Sequence, residues 1–311
     1  MPKALSPPID RNYRTPKLKL PVGACDTHFH FIGPQKLFPL KPNHVFSHLE
    51  FEDTPVEDWL KMQAALRLSR GLHVQSMMYE NNYEIVLHTQ SLFPDRLRAV
   101  VIPWAGITDN ELRILTKCGV VGYRVTHRLE NEINVRMVGR VHEHGWGIHY
   151  LVKQDPEWRR RILASPGRFV VEHMGGIDPS KGLESESFKF VQQCLDTGRC
   201  WVKLSPRPSK QETFPFDDML PFVRRLVERY PNRVLWGSDW PHPQYFKPMP
   251  NDVDLLDQML DWVPEESARN RIFVDNPAEC FGFPLATAAA SHGLDNPVED
   301  NVHDLFDVAL G

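Results

Sequence analysis

No two cysteines of this chain form a Cys-x-x-Cys pair; the five present, at positions 25, 118, 194, 200 and 280, are scattered. That spacing argues against a thiolate zinc site and a disulfide framework, and suits a reducing compartment. An excess of charge of one sign is also lacking. The 36 Lys and Arg residues face 40 Asp and Glu, a formal net charge of -4. No broad basic surface for nucleic acid is expected, and an anionic ligand would need positive charge gathered locally. No apolar run approaches the ~18 residues of a membrane span. The opening "MPKALSPPIDRNYRTPKLKLP" is basic and proline-rich without an apolar centre, unlike a secretory signal. A cytoplasmic protein with no membrane partner is the expectation. The chain has no Gly-x-Ser-x-Gly elbow, which argues against a serine nucleophile. It also lacks a glycine-rich dinucleotide fingerprint after an early strand, which weakens an open doubly wound sheet.

What is present is a soluble α/β composition, 41% hydrophobic over 311 residues, a length that one α/β barrel routinely takes. Eight short apolar segments recur at 22–30, 71–79, 96–104, 120–125, 146–152, 168–175, 200–205 and 233–240. Helix-like stretches lie between them, among them "TPVEDWLKMQAALRLS" with Thr54 as N-cap and Pro55 at the first helical position. Strand–helix alternation of this kind predicts a (β/α)8 TIM barrel over residues 22–283. A proline-rich arm, 1–21, precedes it, and a tail, 284–311, is expected to pack on the barrel.

In such a barrel, functional side chains come from the C-terminal ends of the strands. The polar residues gather there. His28 and His30 close strand one in "GACDTHFHFIGP" and share a face because residues two apart in a strand point the same way. His173 closes strand six in "VVEHMGG", and Asp239 closes strand eight in "LWGSDWPHP", with His242 three residues on. His149 lies within strand five, where a core histidine and a metal ligand are both open readings. His142 and His144 fall near a helix end and read as structural.

This set resembles the amidohydrolase superfamily, and within it the 2-pyrone-4,6-dicarboxylate lactonase-like branch. Besides the first and last motifs, the resemblance runs through "GVVGYRVTHRL", "EHGWGIHYLV" and "WVKLSPRPSK" in the same order. It implies an amidohydrolase-type barrel that opens a small lactone bearing carboxylate or sulfonate groups. Asp239 would take the proton from water, and His28, His30 and His173 would meet the charge that develops on the carbonyl oxygen. Arg124, Arg128 and Arg207 would bind the anionic groups through their planar forks. Ser76 has the same substrate-binding role, one position earlier than the family pattern places its serine, and His242 joins it.

The branch implies no required cofactor. The alternative is a divalent metal, zinc first, with His28, His30, His149 and Asp239 as candidate ligands. Two other activities stay open: a zinc-dependent nonoxidative decarboxylase of an aromatic or unsaturated acid, and a lactone isomerase. A non-catalytic anion-binding barrel has no use for a carboxylate among its binding groups. The expected partner is a small anionic lactone. Association into a homo-oligomer is compatible with the chain, though no stretch marks an interface.

Overall fold

The computed structural model describes residues 3–129, 133–243 and 248–284. Eight segments form one parallel sheet in chain order. They are β1 Cys25–Phe29, β2 Arg70–Val74, β3 Leu97–Val101, β4 Val120–Thr126, β5 Gly147–Leu151, β6 Phe169–Val171, β7 Cys200–Leu204 and β8 Val234–Trp236. All eight predicted strands are found, and a helix crosses over between most neighbours, which makes the (β/α)8 barrel. The strands are almost wholly buried because helices cover one side and packed side chains fill the other.

The helices follow their sequence signals with one exception. Asp109–Lys117 starts at a capping box in which Thr108 and Glu111 satisfy each other's backbone N–H groups. Val135–Glu143 turns Met137, Val138 and Val141 inward, spaced to lie on one helical face. The helix Val56–Leu66, however, takes Pro55 as its N-cap. Thr54 forms a β-bridge with Ile32 instead, so the backbone of the β1 loop competed successfully for it.

The ring closes beyond the ends of β8 and β1. Asp239 N–H donates to the His28 carbonyl, and His30 N–H donates to the Trp240 carbonyl, each at 2.7 Å. Gly237 is needed at this seam: a Cβ there would lie 2.5 Å from the His28 Cβ and 2.9 Å from its backbone nitrogen. Asp26 clasps both sides, accepting from the His28 and Ser238 backbone N–H groups at 3.0 Å and from the Ser238 hydroxyl at 2.5 Å. Burial pushes this carboxyl up to about 7 despite those bonds.

At the opposite end, Ala278, Cys280, Phe281 and Phe283 pack among Leu72, Val74, Val100, Val170 and Leu235. The barrel is plugged there, which leaves the C-terminal ends of the strands as its mouth. The arm lies on its own barrel. Arg14 pairs with Asp254 and Asp257 at 2.5 and 2.7 Å, and Arg11 pairs with Asp58 at 2.9 Å. The predicted packing of the tail falls outside the described residues beyond Pro284. Among the described residues no helix is long and apolar enough to cross a membrane.

Candidate active site

Three of the predicted site residues stand on unusual backbone. His173 follows β6 with φ +48°, and Asp239 and His242 follow β8 with φ +66° and +56°. Left-handed conformations in non-glycine residues cost of order 1–3 kcal/mol each and persist where surrounding bonds over-determine them. The seam bonds do this for Asp239, whose own carbonyl also accepts from His242 N–H at 2.7 Å.

The result is a convergence on one oxygen. The Nε2 atoms of His30, His28 and His173 lie 3.5, 3.6 and 3.8 Å from Asp239 Oδ1. That oxygen and His28 Nε2 are buried and have no hydrogen-bond partner among the described residues. The far side of each ring is held: His28 Nδ1 lies 3.2 Å from Lys203 Nζ, His30 Nδ1 lies 2.6 Å from the Val74 carbonyl, and His173 Nδ1 lies 3.2 Å from the Ser205 hydroxyl. The other Asp239 oxygen accepts from Arg207 Nε at 2.6 Å.

The protonation states follow from burial and neighbours. Burial pushes the Asp239 carboxyl up, but the Arg207 guanidinium beside it outweighs that push and holds the group well below the usual carboxylate range. Burial lowers all three imidazoles, His28 most strongly with Lys203 adding to it, and His173 to about 4. The site is therefore a carboxylate ringed by neutral imidazoles.

These shifts predict an acid limb in stability. Unfolded histidines take up protons below about 6.5, whereas His173 does so only near 4 and buried His73, in β2, near 3. Between those values the unfolded chain binds more protons at these rings, so their contribution is full above pH 6.5 and declines as pH falls toward 3, outweighing the single opposing proton of Asp26. Urea midpoints at pH 7 and pH 5 check this; equal midpoints would mean the imidazoles are not held neutral.

The cavity at the mouth is lined by His30, Ser76, Met77, Arg124, Arg128, Leu151, His173, Arg207, Asp239 and Pro243. Five substrate-binding residues were expected, and four line it. The exception is His242, which turns away so that its Nε2 lies 3.1 Å from Asp252 Oδ1. The three arginines differ in availability. Arg124 is buried and committed, donating from Nε and Nη2 to Glu172 Oε2 at 3.1 and 2.9 Å and from Nη1 to the Gln75 carbonyl. Arg207 shares Asp239. Arg128 lies over the Phe46 ring at 5.3 Å and has no acidic partner among the described residues.

Glu172 and Lys203 were not anticipated from the sequence, although both lie in quoted strand motifs. Each is buried, at 0% and 1% exposure. Burial pushes the Lys203 ammonium down to about 8, with Glu172 opposing. Their signal was a charged residue inside an otherwise apolar strand segment.

The metal expectation meets a mixed geometry. His28, His173 and Asp239 place ligand atoms within 4.8 Å of one another, donor types that suit a divalent ion. His149 is apart from that group, stacking on Phe281 with Nδ1 3.8 Å from Glu172 Oε1. The surrounding charge does not fit a cation. Among the described residues Arg124, Arg128, Arg207 and Lys203 face two carboxylates, Asp239 and Glu172, and one Asp239 oxygen is held by Arg207. A divalent ion would deepen that positive excess, whereas an anion relieves it.

Residues 25–283 match the family model described as amidohydrolase. The chain is 31% identical over 293 residues to the 4-sulfomuconolactone hydrolase of Rhizobium radiobacter, covering 90% of this chain and 95% of that protein. It is 30% identical over 289 residues to the 2-pyrone-4,6-dicarboxylate hydrolase of Comamonas testosteroni, covering 87% and 93%. A solved structure from Agrobacterium tumefaciens, 24% identical, superposes with a TM-score of 0.73 over 88% of this chain and 100% of that one.

Proposed function

This chain belongs to the amidohydrolase family, and we propose that it opens the ring of a small lactone bearing a carboxylate or sulfonate group. The observation that carries this reading is the unpartnered Asp239 oxygen facing three neutral imidazoles inside a cavity with a cationic excess. The names of both curated relatives support it, since each is a hydrolase of a ring with an anionic group.

In the proposed reaction the anionic group docks on Arg128 and Arg207. A water beside Asp239 Oδ1 attacks the ring carbonyl, forming a carbon–oxygen bond as its proton passes to Asp239. Imidazole N–H donors meet the charge on the carbonyl oxygen. The ring C–O bond then breaks, and the proton on Asp239 passes to the leaving oxygen, so the carboxylate is restored. The step needs no cofactor.

Arg207 makes this sequence conditional. While it is paired with Asp239, the carboxylate is too weak a base to be effective. The substrate's anionic group competes for the same guanidinium, and as it draws Arg207 away Asp239 gains basicity. Neutral lactones lack that lever and are expected to be poor substrates.

The test is ring opening on 4-sulfomuconolactone, 2-pyrone-4,6-dicarboxylate and a neutral lactone, with metal content assayed on the same sample. Turnover of anionic rings by metal-free protein is the expected result. Stoichiometric zinc without any lactone turnover would instead select a decarboxylase built on the His28, His173 and Asp239 grouping. Arg128→Met should raise KM for anionic lactones by about 10- to 100-fold with kcat nearly kept, the loss of a charge-assisted contact of about 1.5–3 kcal/mol. An unchanged KM would remove Arg128 from anion recognition.

A further inference from the structure

Lys203 lies in β7 with its Nζ 3.2 Å from His28 Nδ1. An ammonium has three N–H donors and no acceptor, so His28 Nδ1 must present its lone pair to it. A neutral imidazole with a bare Nδ1 carries its one proton on Nε2. In His28 that atom is turned toward Asp239, 3.6 Å from its Oδ1. His30 has the opposite constraint. Its Nδ1 lies 2.6 Å from the Val74 carbonyl oxygen, which only accepts, so the proton is on Nδ1. The His30 Nε2, 3.5 Å from the same Asp239 oxygen, is then a lone pair.

We propose that Lys203 is a positioning residue that fixes His28 as an Nε2–H donor, so that the two rings of the His-x-His pair are opposite tautomers with separate tasks. Resting on the lactone reading above, His28 donates to the carbonyl oxygen of the ring. His30 accepts a hydrogen bond from the attacking water, holding it beside Asp239. Two identical side chains two residues apart thus serve the electrophile and the nucleophile. The difference comes from what stands behind each ring: a cation on β7 behind one, a backbone carbonyl on β2 behind the other.

Removing the ammonium should reverse the first ring. Without Lys203, His28 Nδ1 is left with Glu172 Oε1 at 3.9 Å, a carboxylate oxygen without a hydrogen-bond partner among the described residues. A carboxylate draws the imidazole proton to Nδ1 and leaves Nε2 bare. The carbonyl oxygen of a substrate would then meet a lone pair.

Long-range 1H–15N correlation of the histidine rings tests this, with His28 assigned by the signals lost in His28→Gln. The expected wild-type pattern is Nε2–H for His28 and Nδ1–H for His30. In Lys203→Met, His28 should change to Nδ1–H, with kcat lower by about 10²-fold, as for loss of one oxyanion donor, and KM nearly kept. An Nδ1–H His28 in the wild type overturns the proposal whether or not the variant folds. So does a folded Lys203→Met whose His28 tautomer is unchanged. If the wild type shows the expected tautomers but opens no anionic lactone, the assignment of Lys203 stands and the reading of the reaction fails.

Discussion

Asp239→Asn is expected to slow ring opening by about 10³-fold while leaving an anionic lactone bound at least as tightly as before. General-base catalysis by a positioned side chain is worth about 10²- to 10⁴-fold, and an asparagine cannot accept the proton of water. The binding half of the expectation comes from Arg207. In the wild type its guanidinium is tied to Asp239 Oδ2, through Nε at 2.6 Å. An amide holds it far less firmly, so Arg207 becomes freer for the substrate's anionic group. Single-turnover kinetics with calorimetric titration of the same lactone separate the two effects. Wild-type turnover in the variant would remove Asp239 as the base. Weaker binding would remove the competition for Arg207.

The second large effect concerns stability. Glu172 is fully buried, accepts two hydrogen bonds from Arg124, and faces His28 and His149 with its other oxygen. Arg124 and Lys203 pull its carboxyl down against the upward push of burial. Glu172→Gln removes the charge that both cations rely on and leaves them buried with little compensation. Breaking a buried ion pair from one side costs about 3–5 kcal/mol. For a chain of this size each kcal/mol moves the melting temperature by roughly 2–4 °C. A fall of about 10 °C is therefore expected in a thermal melt. The double variant Arg124→Leu with Glu172→Leu should recover part of the loss, because replacing both partners removes the unpaired charge. A single variant that melts within 2 °C of wild type would show that water or the imidazoles already carry Arg124.

The two variants probe different layers of one arrangement. Asp239, the base of the proposed reaction, is held on the seam where the barrel closes. Glu172 sits one level away, and its charge keeps Arg124 and Lys203 in place beneath the histidines. A change in either layer reaches the other through His28, which contacts Asp239 on one side and Lys203 and Glu172 on the other.

Much of this arrangement is legible in the sequence. The eight strands stand where apolar runs alternate with helix-like stretches, because the two periodicities differ and each leaves its own pattern. The convergence of His28, His30, His173 and Asp239 was legible because strand-end polar residues in a barrel point to one mouth. Other details were not legible. Thr54 looked like a helix cap, but a bridge to Ile32 took its backbone. His242 looked like a substrate ligand, but Asp252, ten residues on, holds its ring. Arg124 read as an anion-binding fork, yet Glu172 occupies it. In each case the competitor comes from another part of the fold, which local spacing does not encode.

The sequence by itself determined the barrel and which polar side chains gather at the C-terminal ends of its strands. Those follow from local rules: strand alternation, crossover helices and polar residues at strand ends. Only the tertiary structure decided which charges are neutralised and which remain available. Lys203 lies in β7 and Glu172 directly after β6, both within apolar sequence. Their roles arise when closure of the ring brings buried Lys203 of β7 and Glu172, just after β6, against His28 of β1. There a 3.2 Å contact to a cation sets which nitrogen of His28 is bare. The protonation of an imidazole depends on its partners in space, so this part of the site came into view only with the fold.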